Sequence, residues 1–357
     1  MLRRGSDWAI GPEVEEFEKD VASYVGRRHA VSFNSGTSAL HAAMIALGVG
    51  IGDRVVVPSF TFIATANAAL FVGATPRFAD IEPRTFGLDA VATEKVLRQK
   101  TKALVPVHIG GVVCEQAGEL EELARRRRVL LIEDACEALG STAKGREAGT
   151  YGDVSILSFC ANKVISTGEG GMVLTDDSRI HERLTLVKSH GRLDKQNYFR
   201  TTSPPDYVRL GYNWRISSMT AALGVSQLGK LERAVDGRRK VAASISRGLR
   251  RIPGLEIPHE PEGFRHTYQM YTVKVKGGKR VRDGLRGHLS KQGVFSKVYF
   301  DPIHLSRFYR GRPESREAEL PVTEMVGNEV LTLPVYPTMT KEEVAHLTGS
   351  VAEFFRA

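Results

Sequence analysis

Seven short apolar runs punctuate the first half of the chain: AVSF (30–33), RVVVP (54–58), PRFADI (76–81), ALVPVH (103–108), RVLLIED (128–134), VSILSF (154–159) and GMVLT (171–175). Their hydrophobicity is continuous rather than alternating, as in strands covered on both faces of a sheet. Helical or loop stretches separate them, so the order of elements predicts an α/β domain with a mostly parallel sheet.

The first helix is marked by Val14, Phe17, Val21 and Val25 at helical spacing, with Pro12 in its first turn and Gly26 at its end. A second runs from Thr37 to Leu47, with Leu40, Ala43, Met44 and Leu47 on one face. From about Gly229 the character changes to a long charged helical stretch, the strand-like QMYTVKV and an amphipathic segment from Lys279 to Gly293. A final helix follows, opened by Thr340 and Glu343 in capping-box spacing, with Val344, Leu347, Val351 and Phe354 on one side. We therefore expect a large domain over 1–235 and a smaller α+β domain over 236–357.

A chain of 357 residues with 42% hydrophobic content can bury a substantial core. It contains no apolar run of the roughly 18 residues needed to span a bilayer, and its first residues lack the apolar region of a secretory signal. A cytoplasmic protein without membrane contact is expected. Cys114, Cys136 and Cys160 are odd in number and lack metal-ligand spacing, so neither a disulfide framework nor a metal site is expected. The net charge of +9 is not gathered into one tract. Its densest run, Arg125–Arg128, closes a helical pattern, and no nucleic-acid-binding motif accompanies it.

Three stretches carry chemistry. In NSGTSAL (34–40), Gly36 permits close backbone approach, and Thr37 and Ser38 place hydroxyls beside the free N–H groups of a helix start. That pattern suits a bound phosphate and equally an ordinary capped helix. The chain contains neither a GxxxxGK[ST] loop nor a GxGxxG fingerprint. In LLIEDACEALGS, Asp134 ends an apolar strand where α/β proteins bind ligands, while Glu133 beside it is an alternative acid. In SFCANKVISTGEGG, Lys163 lies between a strand and a glycine run. An amine that forms an imine, an acid that keeps a pyridine nitrogen protonated and a phosphate cradle are the three parts that pyridoxal phosphate requires.

Eight segments in order, GPEVEEFE, SGTSALHAAM, VPSFTFIATANA, EDACEALGS, SFCANKVISTGEGGMVLTDD, HGR, GYNWRISSMTAALGVSQL and LTLPVYPTMT, resemble the DegT/StrS family of sugar aminotransferases over residues 11–356. The resemblance implies an aspartate-aminotransferase-like fold of type I, with pyridoxal 5'-phosphate bound in the large domain and pyridoxamine 5'-phosphate as its second form. It makes Lys163 the imine-forming lysine, Asp134 the partner of the ring nitrogen and Phe62 the ring stacked on the cofactor. Gly36, Thr37, Ser38 and Ser158 match the phosphate cradle. Glu137 departs from the family pattern, where Gln or His meets the phenolic oxygen, which leaves its duty open. Asn213 matches an asparagine that reaches the phosphate from a neighbouring subunit, with Arg215 near the same interface, implying a homodimer with shared sites. The segment 1–12 is expected near the active site, and Trp8 and Arg215 are expected as substrate contacts. His108, His190 and His304 lie in family-like stretches but are not counted as catalytic.

The implied reaction is transamination in two halves, from glutamate and then to a nucleotide-linked keto sugar. Lys163 carries the proton, a task suited to an amine whose pKa is lowered by burial or neighbouring cations. Asn162 and TGEGGMV resemble enzymes that aminate the 4-keto position of nucleotide-linked 6-deoxyhexoses, perosamine synthases in particular. Amination at a 3-keto position, a dehydratase of the same family and a non-catalytic regulatory member are the alternatives. The dehydratases typically carry histidine in place of the lysine, and a regulatory member would have lost the lysine or the acid.

Overall fold

The computed structural model describes residue 8 and residues 11–193 and 204–356. Its large sheet is built from β1 (His29–Phe33), β2 (Arg54–Pro58), β3 (Thr75–Ala79), β4 (Thr101–Leu104), β5 (Leu130–Asp134), β8 (Val154–Ser158) and β9 (Gly171–Thr175), in the spatial order β1-β9-β8-β5-β4-β2-β3. Every pairing is parallel except those of β9, which runs antiparallel to both β1 and β8. All seven apolar runs thus become its seven strands. The run ALVPVH leaves the regular ladder after Leu104, before Pro106, which has no N–H to give. RVLLIED begins its strand only at Leu130, because Arg128 terminates the preceding helix in a left-handed conformation (φ 54°).

Helices cover both faces. They are α1 (Pro12–Val25), α2 (Gly36–Ala46), α3 (Ala64–Phe71), α4 (Ala90–Val96), α5 (Ala117–Arg127), α6 (Ser178–Lys188) and α7 (Ser218–Leu228). The short strands β6 (Thr142–Ala143) and β7 (Arg146–Glu147) form a hairpin joined by β11 (Phe264–Arg265). α1 ends as its sequence predicts, with Gly26 at φ 84° closing the last turn.

The remaining elements are α8 (Leu231–Leu249), β10 (Leu255–Glu256), β12 (Tyr271–Val275), α9 (Gly278–Lys291), α10 (Pro313–Arg316), α11 (Pro321–Glu329), β13 (Val330–Leu333) and α12 (Lys341–Arg356). β10, β12 and β13 make a second, antiparallel sheet. α8 links two cores: Leu231 and Val235 pack with residues of the large sheet, whereas Val241, Ala242, Ile245 and Leu249 pack with β12, α9 and α12. The capping box of α12 is present, with Thr340 N–H donating to Glu343 Oε2 and Glu343 N–H donating to Thr340 Oγ1.

The later part of the chain also returns to the large sheet. Ile303, Tyr309 and Leu320 join the core around Phe78, and Asp80 at the end of β3 accepts from the N–H and hydroxyl of Thr323 and from Val322 N–H. This return carries residues 297–300 to the carboxyl ends of the parallel strands. Among the described residues no helix is long and apolar enough to cross a membrane, and no cluster of His, Cys, Asp and Glu could hold a metal.

Candidate active site

Above the carboxyl ends of β5 and β8 lies a cavity of about 360 Å³, within the range of small-molecule sites. Gly36, Thr37, Phe62, Asp134, Glu137, Ser158 and Lys163 line it together, although the chain brings them from four separate segments. Thr61, Thr65, Cys136, Asn162, Glu169, Lys297, Tyr299 and Phe300 line it as well.

The glycine run after the lysine has a packing reason. β9 starts at Gly171 directly against the turn that opens α2, and a Cβ at Gly171 would stand 2.2 Å from the Ser35 carbonyl oxygen. A Cβ at Gly36 would stand 3.2 Å from the Ser158 Cβ and 3.4 Å from Cys136 Sγ. The two glycines therefore let the first turn of α2 sit close to Ser158.

Ser35, rather than Thr37 or Ser38, caps α2, accepting from Ser38 N–H at 3.1 Å. Ser38 does not line the cavity: its hydroxyl donates to Asn34 Oδ1 at 2.6 Å and returns to Ser35 to complete the cap. Ala39 N–H goes to the Ser35 carbonyl, which leaves the amides of Gly36 and Thr37 to the cavity. A helix N-terminus with free amides, next to the Ser158 hydroxyl, fits a phosphate.

The two adjacent acids of β5 have different tasks. Glu133 is fully buried on the other side of the strand, where its oxygens accept from Tyr151 N–H at 2.8 Å, from Gly149 and Gly152 N–H and from His108 Nε2 at 2.7 Å. Burial opposes its charge, but the His108 hydrogen bond and charge and the backbone donors outweigh it and hold its pKa below the usual value. His108 is thereby satisfied within the fold, its Nδ1 accepting from Cys114 N–H. The alternative in which Glu133 is the functional acid is overturned by this placement. Asp134 faces the cavity, its Oδ2 accepting from Thr65 Oγ1 at 2.8 Å. His304 is likewise engaged, by Ser59 Oγ at 2.7 Å and Glu324 Oε1 at 3.3 Å.

Lys163 follows β8 in a loop held by Lys163 N–H on the Cys160 carbonyl and Thr167 N–H on the Phe159 carbonyl. Its Nζ donates to Glu137 Oε1 at 3.3 Å, and Glu137 Oε2 accepts from Gly110 N–H at 2.9 Å. The lysine side chain is 14% exposed, so it is a largely covered group rather than a surface one. Burial pushes the amine down, but Glu137, through its charge and hydrogen bond, and Asp134 push it up further. The expectation of a lowered pKa is thus reversed here, because the nearest charges are carboxylates rather than cations. Cys136 stays a thiol, its pKa raised by burial and by Asp134, and so makes a poor nucleophile.

Phe62 stands at the cavity with 59% of its surface exposed. Asn213, Arg215 and Trp8 lie outside the cavity of their own chain. Asn213 is exposed and bridges Ser189 through the backbone, and Arg215 donates to Ser189 Oγ at 3.2 Å. Burial and then Arg192 lower the Arg215 pKa. The Trp8 carbonyl accepts from Ser218 N–H at the start of α7. Residues 1–7, 9 and 10 of the expected N-terminal segment lie outside the described residues.

Thr65, in the first turn of α3, escaped the sequence reading; its hydroxyl lies 3.0 Å from that of Thr61 in the loop before the helix. Lys297, Tyr299 and Phe300 carried no signal, since only the return of the chain to the large sheet brings them here.

An amine beside carboxylates, with a helix start opposite for a phosphate, suits covalent chemistry on a phosphorylated carbonyl compound, and the donor set fits pyridoxal phosphate in particular: amine, ring-nitrogen acid, aromatic face and anion cradle. The fold and cavity thus define a lysine-dependent enzyme of carbonyl chemistry. The model of the DegT/DnrJ/EryC1/StrS aminotransferase family matches residues 2–352, and the chain belongs to that family. It is 36% identical to GDP-perosamine synthase of Caulobacter vibrioides, over 96% of this chain and 90% of the relative. A UDP-N-acetyl-3-dehydro-alpha-D-glucosamine 3-aminotransferase of Acidithiobacillus ferrooxidans is 32% identical, over 96% of this chain and 88% of that one. Among solved structures, Helicobacter pylori PseC, an aminotransferase involved in pseudoaminic acid biosynthesis, superposes with a TM-score of 0.92 at 28% identity, covering 99% of this chain and 94% of its own.

Proposed function

We propose that this enzyme moves an amino group from glutamate to the 4-keto carbon of a nucleotide-linked 6-deoxyhexose, with pyridoxal phosphate as cofactor. The observation that carries the reading is the Lys163 amine, largely covered beside Glu137 in one cavity with Asp134 and the first turn of α2.

The amides of Gly36 and Thr37 and the hydroxyl of Ser158 hold the phosphate. Asp134, fixed by Thr65, holds the ring nitrogen protonated, and Phe62 covers a face of the ring. When bound, the cofactor supplies an electron sink and carries the amino group between the two substrates. Lys163 Nζ would take the proton from the glutamate carbon that loses the amine and, in the second half, deliver a proton to the sugar carbon that gains it, with that proton held on the bound cofactor between the halves. Glu137, anchored by Gly110 N–H, accepts from Lys163 and keeps the amine aimed into the cavity.

The site is completed by a second copy of the chain, with Asn213 of the partner subunit on the phosphate. Two features support this: Asn213 and Arg215 lie outside their own cavity, and Tyr207, Val208, Leu210 and Met219 around them expose apolar surface. The 4-keto assignment is supported by Asn162 and the TGEGGMV stretch and by likeness to the Caulobacter enzyme.

Borohydride treatment of the purified protein tests the lysine: the cofactor should remain attached to the peptide containing Lys163. Attachment to another lysine overturns the assignment. Incubation with glutamate and, separately, 4-keto and 3-keto nucleotide sugars, read by mass spectrometry, tests the acceptor. Amine found only in the 3-keto sugar overturns the 4-keto reading.

A further inference from the structure

We infer that Lys297 is the cation that seats an anionic oxygen of the substrates, a carboxylate of the amino donor or a phosphate of the acceptor. This rests on the proposed function, and it follows from the charge balance of the cavity.

Among the described residues that line the cavity, the carboxylates are Asp134, Glu137 and Glu169, and the cations are Lys163 and Lys297. Lys163 is engaged with Glu137. Glutamate and a sugar linked to a nucleoside diphosphate are both anionic, so a site with this lining repels them unless another cation faces them. Lys297 is such a cation. Its backbone is pinned to β13 by two hydrogen bonds with Thr332, of 3.1 and 2.8 Å, so its starting point is rigid. Its ammonium lies over the Tyr299 ring, 4.5 Å from the centroid, and donates to the Tyr299 hydroxyl at 3.3 Å. No carboxylate among the described residues lies within ion-pair distance of it.

An aromatic ring orients an ammonium and removes part of its water without neutralising it. The side chain is exposed and belongs to no hydrophobic core, so it has no packing role that would account for its place. A cation whose backbone is hydrogen-bonded to β13, aimed by one ring and left without a carboxylate partner among the described residues, is organised in advance for an incoming anion.

Calorimetric binding to the holoenzyme tests this with two unreactive probes, glutarate for the donor and GDP for the acceptor. Lys297→Met should weaken one or both by about tenfold to a hundredfold, the range of a charge-assisted hydrogen bond. Lys297→Arg should restore most of the affinity, and both variants should keep the wild-type cofactor absorbance. The probe that weakens identifies which substrate the lysine holds. Equal binding of both probes by wild type and Lys297→Met overturns the inference while leaving the proposed function standing. A wild-type holoenzyme that binds neither probe overturns both.

Discussion

Glu133 and Asp134 are consecutive on β5 and point to opposite faces of the sheet, one accepting from His108 and three backbone amides, the other accepting from Thr65 at the cavity. The strand period of two assigns one carboxylate to the fold and its neighbour to the chemistry.

Exchanging these acids should separate stability from activity. Glu133→Ala leaves buried donors unmatched and should cost about 3–5 kcal/mol, seen as a large fall in the urea midpoint or as insoluble protein. Asp134→Asn keeps an acceptor for Thr65 and should retain most of the stability while losing nearly all turnover. A stable Glu133→Ala enzyme would contradict the assignment.

The close approach of β9 to the start of α2 should not tolerate a methyl group. In Gly171→Ala the new Cβ meets the Ser35 carbonyl, which must move by about an ångström or more, and overpacking of this kind costs about 1–3 kcal/mol. Because the displaced turn carries the Gly36 and Thr37 amides, cofactor retention after dialysis should fall more than the urea midpoint suggests. Unchanged retention would show that the turn does not hold the phosphate.

His266 makes the fold sensitive to moderate acid. Burial lowers its pKa from 6.5 to about 4, with Glu260 opposing, and it is stacked on Tyr268 while its Nδ1 accepts from Tyr268 N–H. The folded state thus binds fewer protons than the unfolded chain between these values. Its contribution is complete above about pH 6.5 and is lost as the pH falls toward 4, by about 3 kcal/mol at most. Urea unfolding of wild type and His266→Gln from pH 7 to pH 4.5 should show a shallower decline in the variant. Parallel declines would rule the residue out.

Shared sites predict complementation. Mixed Lys163→Ala and Asn213→Ala chains, unfolded and refolded together, should form hybrids in which one of two sites keeps both native residues. Activity should return to about a quarter of wild type, as random pairing gives half hybrids with half their sites intact. A fully active monomer in sedimentation would exclude sharing.

The sequence by itself determined the strands, because continuous apolar runs have no stable place except between two covered layers. It also determined the position of Lys163, Asp134 and the start of α2 at the ends of those strands, through local turn chemistry at Gly36 and the glycine run. Tertiary structure decided the rest. Whether Glu133 or Asp134 faces the cavity depended on where His108 and the amides of residues 149–152 came to lie, and the direction of the Lys163 pKa on Glu137 being its nearest charge. Ser38 matched a phosphate-binding pattern, yet its hydroxyl was taken by Asn34 and Ser35. Lys297, Tyr299 and Phe300 reached the cavity only through the docking of residues 303–323 on β3, a contact between distant segments that no local pattern encodes.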